Sequence, residues 1–127
     1  MVEITDRDFS VEEIISRMAK PEVGGIITYL GTVRSFSEGG KVERVEFDAD
    51  EAVVGKIRDI EKKTLKDFDV EAVAIVHRVG RLKVGDRILL VAVSAAHRQP
   101  AFAACMSIID AIKGIHSTWQ REVYRSS

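Results

Sequence analysis

Residues 94–122 read SAAHRQPAFAACMSIIDAIKGIHSTWQRE, and the reading of this stretch decides the fold. It opens as the tail of an apolar strand and breaks at the pair His97-Arg98. Pro100 then suits the first position of a helix, where its missing N–H costs nothing. Phe102, Cys105, Ile108, Ile109 and Ile112 recur at helical spacing and mark one buried stripe. Gly114 is expected to end the helix, because glycine tolerates the left-handed backbone of a C-terminal cap. His97 and Arg98 therefore stand at a helix N-terminus, where unpaired N–H groups and the helix dipole favour an anion. Lys113 comes about four turns later, at about 1.5 Å per residue. A basic pair at one end and a lysine at the other point to an extended anionic ligand or to two ligands. The bland alternative is a solvated cap and a lysine that complements the dipole.

Composition narrows the classes. The 127 residues suit one domain, 1–127, with a substantial core, and 46% of them are hydrophobic. Nineteen basic and twenty acidic side chains nearly cancel, which argues against nucleic-acid binding through bulk charge. The single Cys105 allows no internal disulfide and no cysteine cluster for zinc. No apolar run approaches the roughly 20 residues that span a bilayer, and no signal-peptide core precedes the first strand. A cytoplasmic protein without membrane contact is the expectation.

Working outward, Val2–Thr5 reads as a short edge strand. Ser10 and Glu13 form a capping box for a helix running to about Lys20, with Val11, Ile14, Ile15 and Met18 inward. Val23–Val33 reads as a strand in which Gly31 hints at a bulge or a close backbone approach. The polar segment after Arg34 reads as a mobile loop, and Val42, Val45 and Phe47 belong to the next strand. A second helix is expected from about Asp50 to Lys66, lined by Val53, Ile57, Ile60 and Thr64. Val70–Val79 and Arg87–Ala95 are the strongest strands, joined by a linker short enough for an antiparallel connection. Hairpins mixed with helices predict an α+β sandwich with a mixed or antiparallel sheet and about three helices.

Most isolated signals read as structure. His77, His97 and His116 lack the spacing of metal ligands, and no dinucleotide or phosphate-loop motif occurs. Cys105 lies on the apolar stripe and reads as a core thiol. His77-Arg78 closes a strand, with Arg78 expected to pair with a nearby acid. Trp119 is either a core anchor or a pocket wall.

GTVRS at 31–35, HRVGRLKVGD at 77–86, SAAHRQPAF at 94–102 and the IDAIK and WQRE pieces of 109–122 also stand in a telling order. In that order and spacing, from about Val23 to Glu122, the chain resembles the large, catalytic subunits of molybdopterin synthase. The resemblance implies an α/β hammerhead-type fold and a homodimer within a heterotetramer. It implies a partner, a small ubiquitin-like sulfur carrier whose Gly-Gly C-terminus bears a thiocarboxylate. It implies transfer of that sulfur to cyclic pyranopterin monophosphate, making the dithiolene of molybdopterin, with no metal or organic cofactor.

Position by position, the family's catalytic lysine falls on Lys113. Its substrate-binding residues fall on Thr32, Val33, Arg34, His97 and Arg98, with the segment after Trp119 contributing Gln120, Arg121 and Glu122. The family usually carries a second lysine after the tryptophan; this chain has Gln120, followed by Arg121. Asp50 stands where an aromatic residue is common, and Ser117-Thr118 replaces a proline-containing turn. The alternative from another class is a non-enzymatic binding module that keeps the tail or phosphate site without turnover, and Gln120 is the residue that favours it.

Overall fold

The structure is a computed structural model and describes residues 1–125. Its framework is a four-stranded sheet in the order β1 (Val2–Thr5), β5 (Ala72–Arg78), β7 (Arg87–Ala95), β2 (Gly25–Thr32). The β1–β5 pair is parallel, and the β5–β7 and β7–β2 pairs are antiparallel. The central strands β5 and β7 are near-continuous apolar runs because both faces of the sheet are covered. On one face Val73, Ile75, Val91 and Val93 meet helices α2 (Glu51–Asp67) and α3 (Arg98–His116). On the other, Ala74, Val76, Leu90 and Ala92 meet Ile14 and Met18 of α1 (Val11–Met18). Alternate residues thus serve two cores.

A second, smaller sheet is built around β4 (Gly40–Phe47), flanked by β6 (Gly80–Lys83) and β8 (Gln120–Tyr124), with the two-residue β3 (Phe36–Ser37) closing a hairpin. Val42 and Val45 are both buried although their spacing breaks strand alternation. A register shift between Val42 and Arg44 absorbs the extra residue, as a bulge does. The mixed α+β architecture with three helices is the one expected.

Helix starts follow the side chains at their caps. Ser10 Oγ accepts from the Glu13 N–H at 3.2 Å, and Asp50 carboxylate oxygen accepts from the Val53 N–H at 2.9 Å. Asp50 thus starts α2.

Several local expectations need correction. The segment after Arg34 is not a plain loop, because Phe36 and Ser37 pair with Lys41 and Gly40 across a turn where Gly40 takes φ +115°. The linker between β5 and β7 contains β6, and the tail after α3 contains β8; both are partners of β4, far off in sequence. The first helix ends at Met18, short of Lys20. Helix α3 begins at Arg98 with His97 as its cap, so Pro100 is third, still within the turn that lacks N–H partners. Gly114 does not end it, since α3 continues to His116. Phe102 is 58% exposed; the buried stripe runs instead through Ala101, Ala104, Cys105, Ile108, Ile109 and Ile112. Arg78 pairs with no acid among the described residues: its guanidinium donates to the Arg87 carbonyl at 3.5 Å.

Candidate active site

The end of β2 runs into a bulge between Gly31 and Thr32, across from β7. A Cβ added at Gly31 would sit 3.2 Å from the Tyr29 ring, so the glycine lets the tyrosine lie back along its own strand. The C-terminal turns of α3 arrive beside this bulge, and β8 then leads away along β4. Between these three elements lies a pocket of about 430 Å³. Its lining includes Tyr29, Thr32, Val33 and Arg34 from β2 and beyond, Lys113 and His116 from α3, and Gln120 and Glu122 from β8, over an apolar floor of Val45, Phe47, Ile88 and Leu89.

Six of the nine expected site residues therefore converge: Thr32, Val33, Arg34, Lys113, Gln120 and Glu122. Gln120 and Glu122 share the pocket because residues two apart in a strand face the same way. Arg121, between them, faces elsewhere and donates to Glu46 at 3.0 Å. With Arg44, it holds the Glu46 carboxyl below its usual range; the hydrogen bond from Arg44 is the larger cause. Val33 is a wall rather than a donor, since its N–H is bonded to the Asp86 carbonyl at 2.9 Å and its carbonyl to the Gly85 N–H at 2.8 Å.

His97 and Arg98 are not in this pocket. They stand exposed at the start of α3, about 22 Å along the axis from Lys113 at about 1.5 Å per residue. Within one chain, Arg34, His97 and Arg98 do not form the single phosphate cluster that motif order alone would assemble. The intervening helix is a rigid rod.

The pocket's electrostatics favour an anion. Arg34 and Lys113 make no ion pair among the described residues, so two cations face the cavity with Glu122 as the one lining carboxylate. The Lys113 ammonium lies 5.8 Å from the centroid of the Tyr29 ring, within the roughly 6 Å reach of a cation–π contact.

Two residues of the pocket wall escaped the sequence reading. Tyr29 precedes Gly31 by two and so shares its face; the strand period held that signal. His116 follows Lys113 by three, one helical turn, but only if the helix runs past Gly114. Behind the wall His116 meets buried His77, Phe47 and Trp119 in a cluster of edge-on and tilted rings with centroids 4.3–5.6 Å apart. Trp119 is thus a core anchor, 6% exposed, as one of its two readings had it. Burial pushes His77 down to about 3 and His116 down to about 4, the latter helped by the Lys113 charge. Both rings are neutral near pH 7. Burial also raises the Cys105 thiol, which suits a core residue.

Comparison with known proteins gives a consistent result. The family model described as "MoaE protein" matches residues 4–115. The molybdopterin synthase catalytic subunit of Pyrococcus abyssi is 40% identical over 117 residues, covering 91% of this chain and 79% of that protein. The subunit of the same name from Thermoplasma volcanium is 35% identical, covering 96% and 90%. Among solved structures, molybdopterin synthase from Staphylococcus aureus superposes with a TM-score of 0.87 at 27% identity, covering 98% of this chain and 92% of that one.

Proposed function

The chain belongs to the MoaE protein family, and from that premise we infer that it is the catalytic subunit of a molybdopterin synthase. The reaction we assign to it is sulfur transfer, from the thiocarboxylated Gly-Gly terminus of a small ubiquitin-like partner to cyclic pyranopterin monophosphate. The observation that carries this reading is the pocket in which Arg34 and Lys113, beside Gln120 and Glu122, make no ion pair among the described residues.

Both reactants are anions, and the pocket supplies what anions need. Arg34 offers a planar fork of donors to a phosphate, with the Thr32 hydroxyl beside it. Lys113 offers a compact ammonium to the thiocarboxylate. It steers the tail, and it stabilises the charge that shifts as sulfur attacks the pterin side chain. The tail brings its own sulfur, so the residues of this chain bind, orient and neutralise.

His97 and Arg98 enter the same reading through the homodimer. A second copy is the arrangement that could bring them to this pocket, since the chain's own pair is held away by α3. The partner subunit and the assembly as a heterotetramer are part of the proposal.

Gln120 supports one competing reading. A neutral amide occupies the place where the family usually has a second lysine, and it lies in the pocket rather than outside it. A binding module without turnover would tolerate that loss. The deciding experiment mixes the protein with thiocarboxylated small subunit and cyclic pyranopterin monophosphate and follows molybdopterin formation. Product above the level without this chain supports the synthase; tight complex formation with no product supports the binding module.

A further inference from the structure

His77 and His116 fix each other's protons. His77 is fully buried, with Nδ1 2.6 Å from the Arg78 carbonyl oxygen and Nε2 3.1 Å from His116 Nε2. A carbonyl only accepts, so the hydrogen of the neutral His77 ring is on Nδ1 and its Nε2 is a lone pair. His116 must then donate from Nε2, which leaves its Nδ1 bare. One contact sets opposite tautomers in two rings. Phe47 and Trp119 pack against both of them, so neither ring is free to turn over.

The bare Nδ1 of His116 has no partner among the described residues, and its ring lines the pocket together with Lys113. The two residues are three apart on α3, the spacing that makes helical side chains neighbours. We propose that His116 is a positioning residue for Lys113, its Nδ1 lone pair accepting a hydrogen bond from the lysine ammonium as that group turns into the pocket. The proposal rests on the assignment of Lys113 as the group that meets the thiocarboxylate.

The chemistry suits the task. An ammonium has three donors, so one can be held by His116 while two remain for the ligand. Tyr29 contacts the same ammonium through its ring face. A long, flexible side chain held at two points loses its rotamer freedom before the ligand arrives rather than during the reaction. A neutral imidazole does this without placing a second positive charge beside the first. His77 acts one step further back: by occupying His116 Nε2 it keeps Nδ1 unprotonated. A lone histidine in that wall could present either nitrogen.

Nitrogen-15 NMR of the protein reads the tautomers directly. The expected pattern is a protonated Nδ1 and bare Nε2 at His77, and the reverse at His116. A protonated Nδ1 at His116 near pH 7 overturns the proposal. The second arm uses His116→Gln, whose amide can still donate toward His77 but offers no lone pair at the Nδ1 position. The Lys113 side-chain signal should move in this variant without substrate, and kcat should fall on the order of tenfold, the scale of one charge-assisted hydrogen bond, with KM held. An unmoved Lys113 signal, or an unchanged kcat in an active enzyme, overturns it. If wild-type protein forms no product, the synthase reading fails by itself, and the Lys113 signal still decides whether His116 holds the lysine.

Discussion

Gln120 and Arg121 are neighbours in β8 and face opposite sides of it: Gln120 lines the pocket with Lys113, while Arg121 is bonded to Glu46 at 3.0 Å. Strand alternation, not distance in sequence, decides which of the two positions can put a cation into the pocket. Arg121 cannot do so while it stays on its own face. Gln120→Lys should therefore maintain or raise the single-turnover rate, because it returns an ammonium to the pocket. Arg121→Ala should leave the rate within about twofold and the urea midpoint little changed, as for other exposed ion pairs. Rates from rapid mixing and urea midpoints check both. A collapse of turnover in Arg121→Ala would show that the arginine reaches the reaction after all.

Lys113→Ala should abolish sulfur transfer and leave association with the small subunit largely intact, since an interface between two chains draws on many contacts. Lys113→Arg should restore only part of the rate. A guanidinium is broad and planar where the pocket holds a compact ammonium 5.8 Å from the Tyr29 ring centroid. Product assays and partner binding by calorimetry separate the two effects, and full activity in Lys113→Ala would remove the lysine from the mechanism.

Arg34→Ala should weaken pterin binding by about 10- to 100-fold, the range of a lost charge-assisted hydrogen bond. Arg98→Ala gives a sharper test, because in one chain it lies at the wrong end of α3. If a second copy completes the pocket, mixing Arg98→Ala with Lys113→Ala protein and allowing the subunits to exchange should restore part of the activity that neither variant has alone. If Arg98→Ala is fully active by itself, the helix start is only a solvated cap.

The elements legible in the sequence are those whose pattern is local. Ile14 and Met18 on α1, Val53 and Ile57 on α2, and the unbroken apolar run of β7 announce themselves by period and caps. Two of the strands that were not legible, β6 and β8, are short and exist because β4 lies between them, a pairing that joins residues 44–47 to 80–83 and 120–123. Nothing in their own sequences shows such a partner. The site divides in the same way. Thr32, Arg34 and Lys113 entered as site candidates through the resemblance that motif order carries, and the four turns between Arg98 and Lys113 were legible in the helical stripe. The place of His116 in the pocket wall, by contrast, required knowing that α3 is unbroken through Gly114. The meeting of His77 with His116 is a tertiary fact: one comes from β5 and the other from the last turn of α3.

That meeting also predicts how stability responds to acid. His77 and His116 are held neutral in the folded chain, at about 3 and about 4, against an ordinary histidine value of 6.5. Between about pH 6.5 and 4 the unfolded chain therefore binds more protons than the folded one. Stability then rises with pH, so the contribution is complete above about 6.5 and is lost as pH falls toward 4 for His116 and 3 for His77. The other titratable groups lining the pocket with His116 are Lys113 on α3, Tyr29 on β2, Arg34 after β2 and Glu122 on β8, and the Lys113 charge acts on His116; Phe47 and Trp119, which pack on the rings, do not titrate. Each proton excluded from the folded state adds at most about 1.4 kcal/mol per pH unit to the slope. His116→Val removes one of the two while leaving His77 buried. The urea midpoint of wild type should fall faster between pH 6.5 and 4.5 than that of His116→Val, the slopes differing by roughly one proton at most. The comparison uses slopes because the variant also leaves His77 Nε2 without its donor, which lowers stability at every pH. Parallel curves for the two proteins would mean that His116 takes up its proton in the folded state, and that burial does not hold the ring neutral.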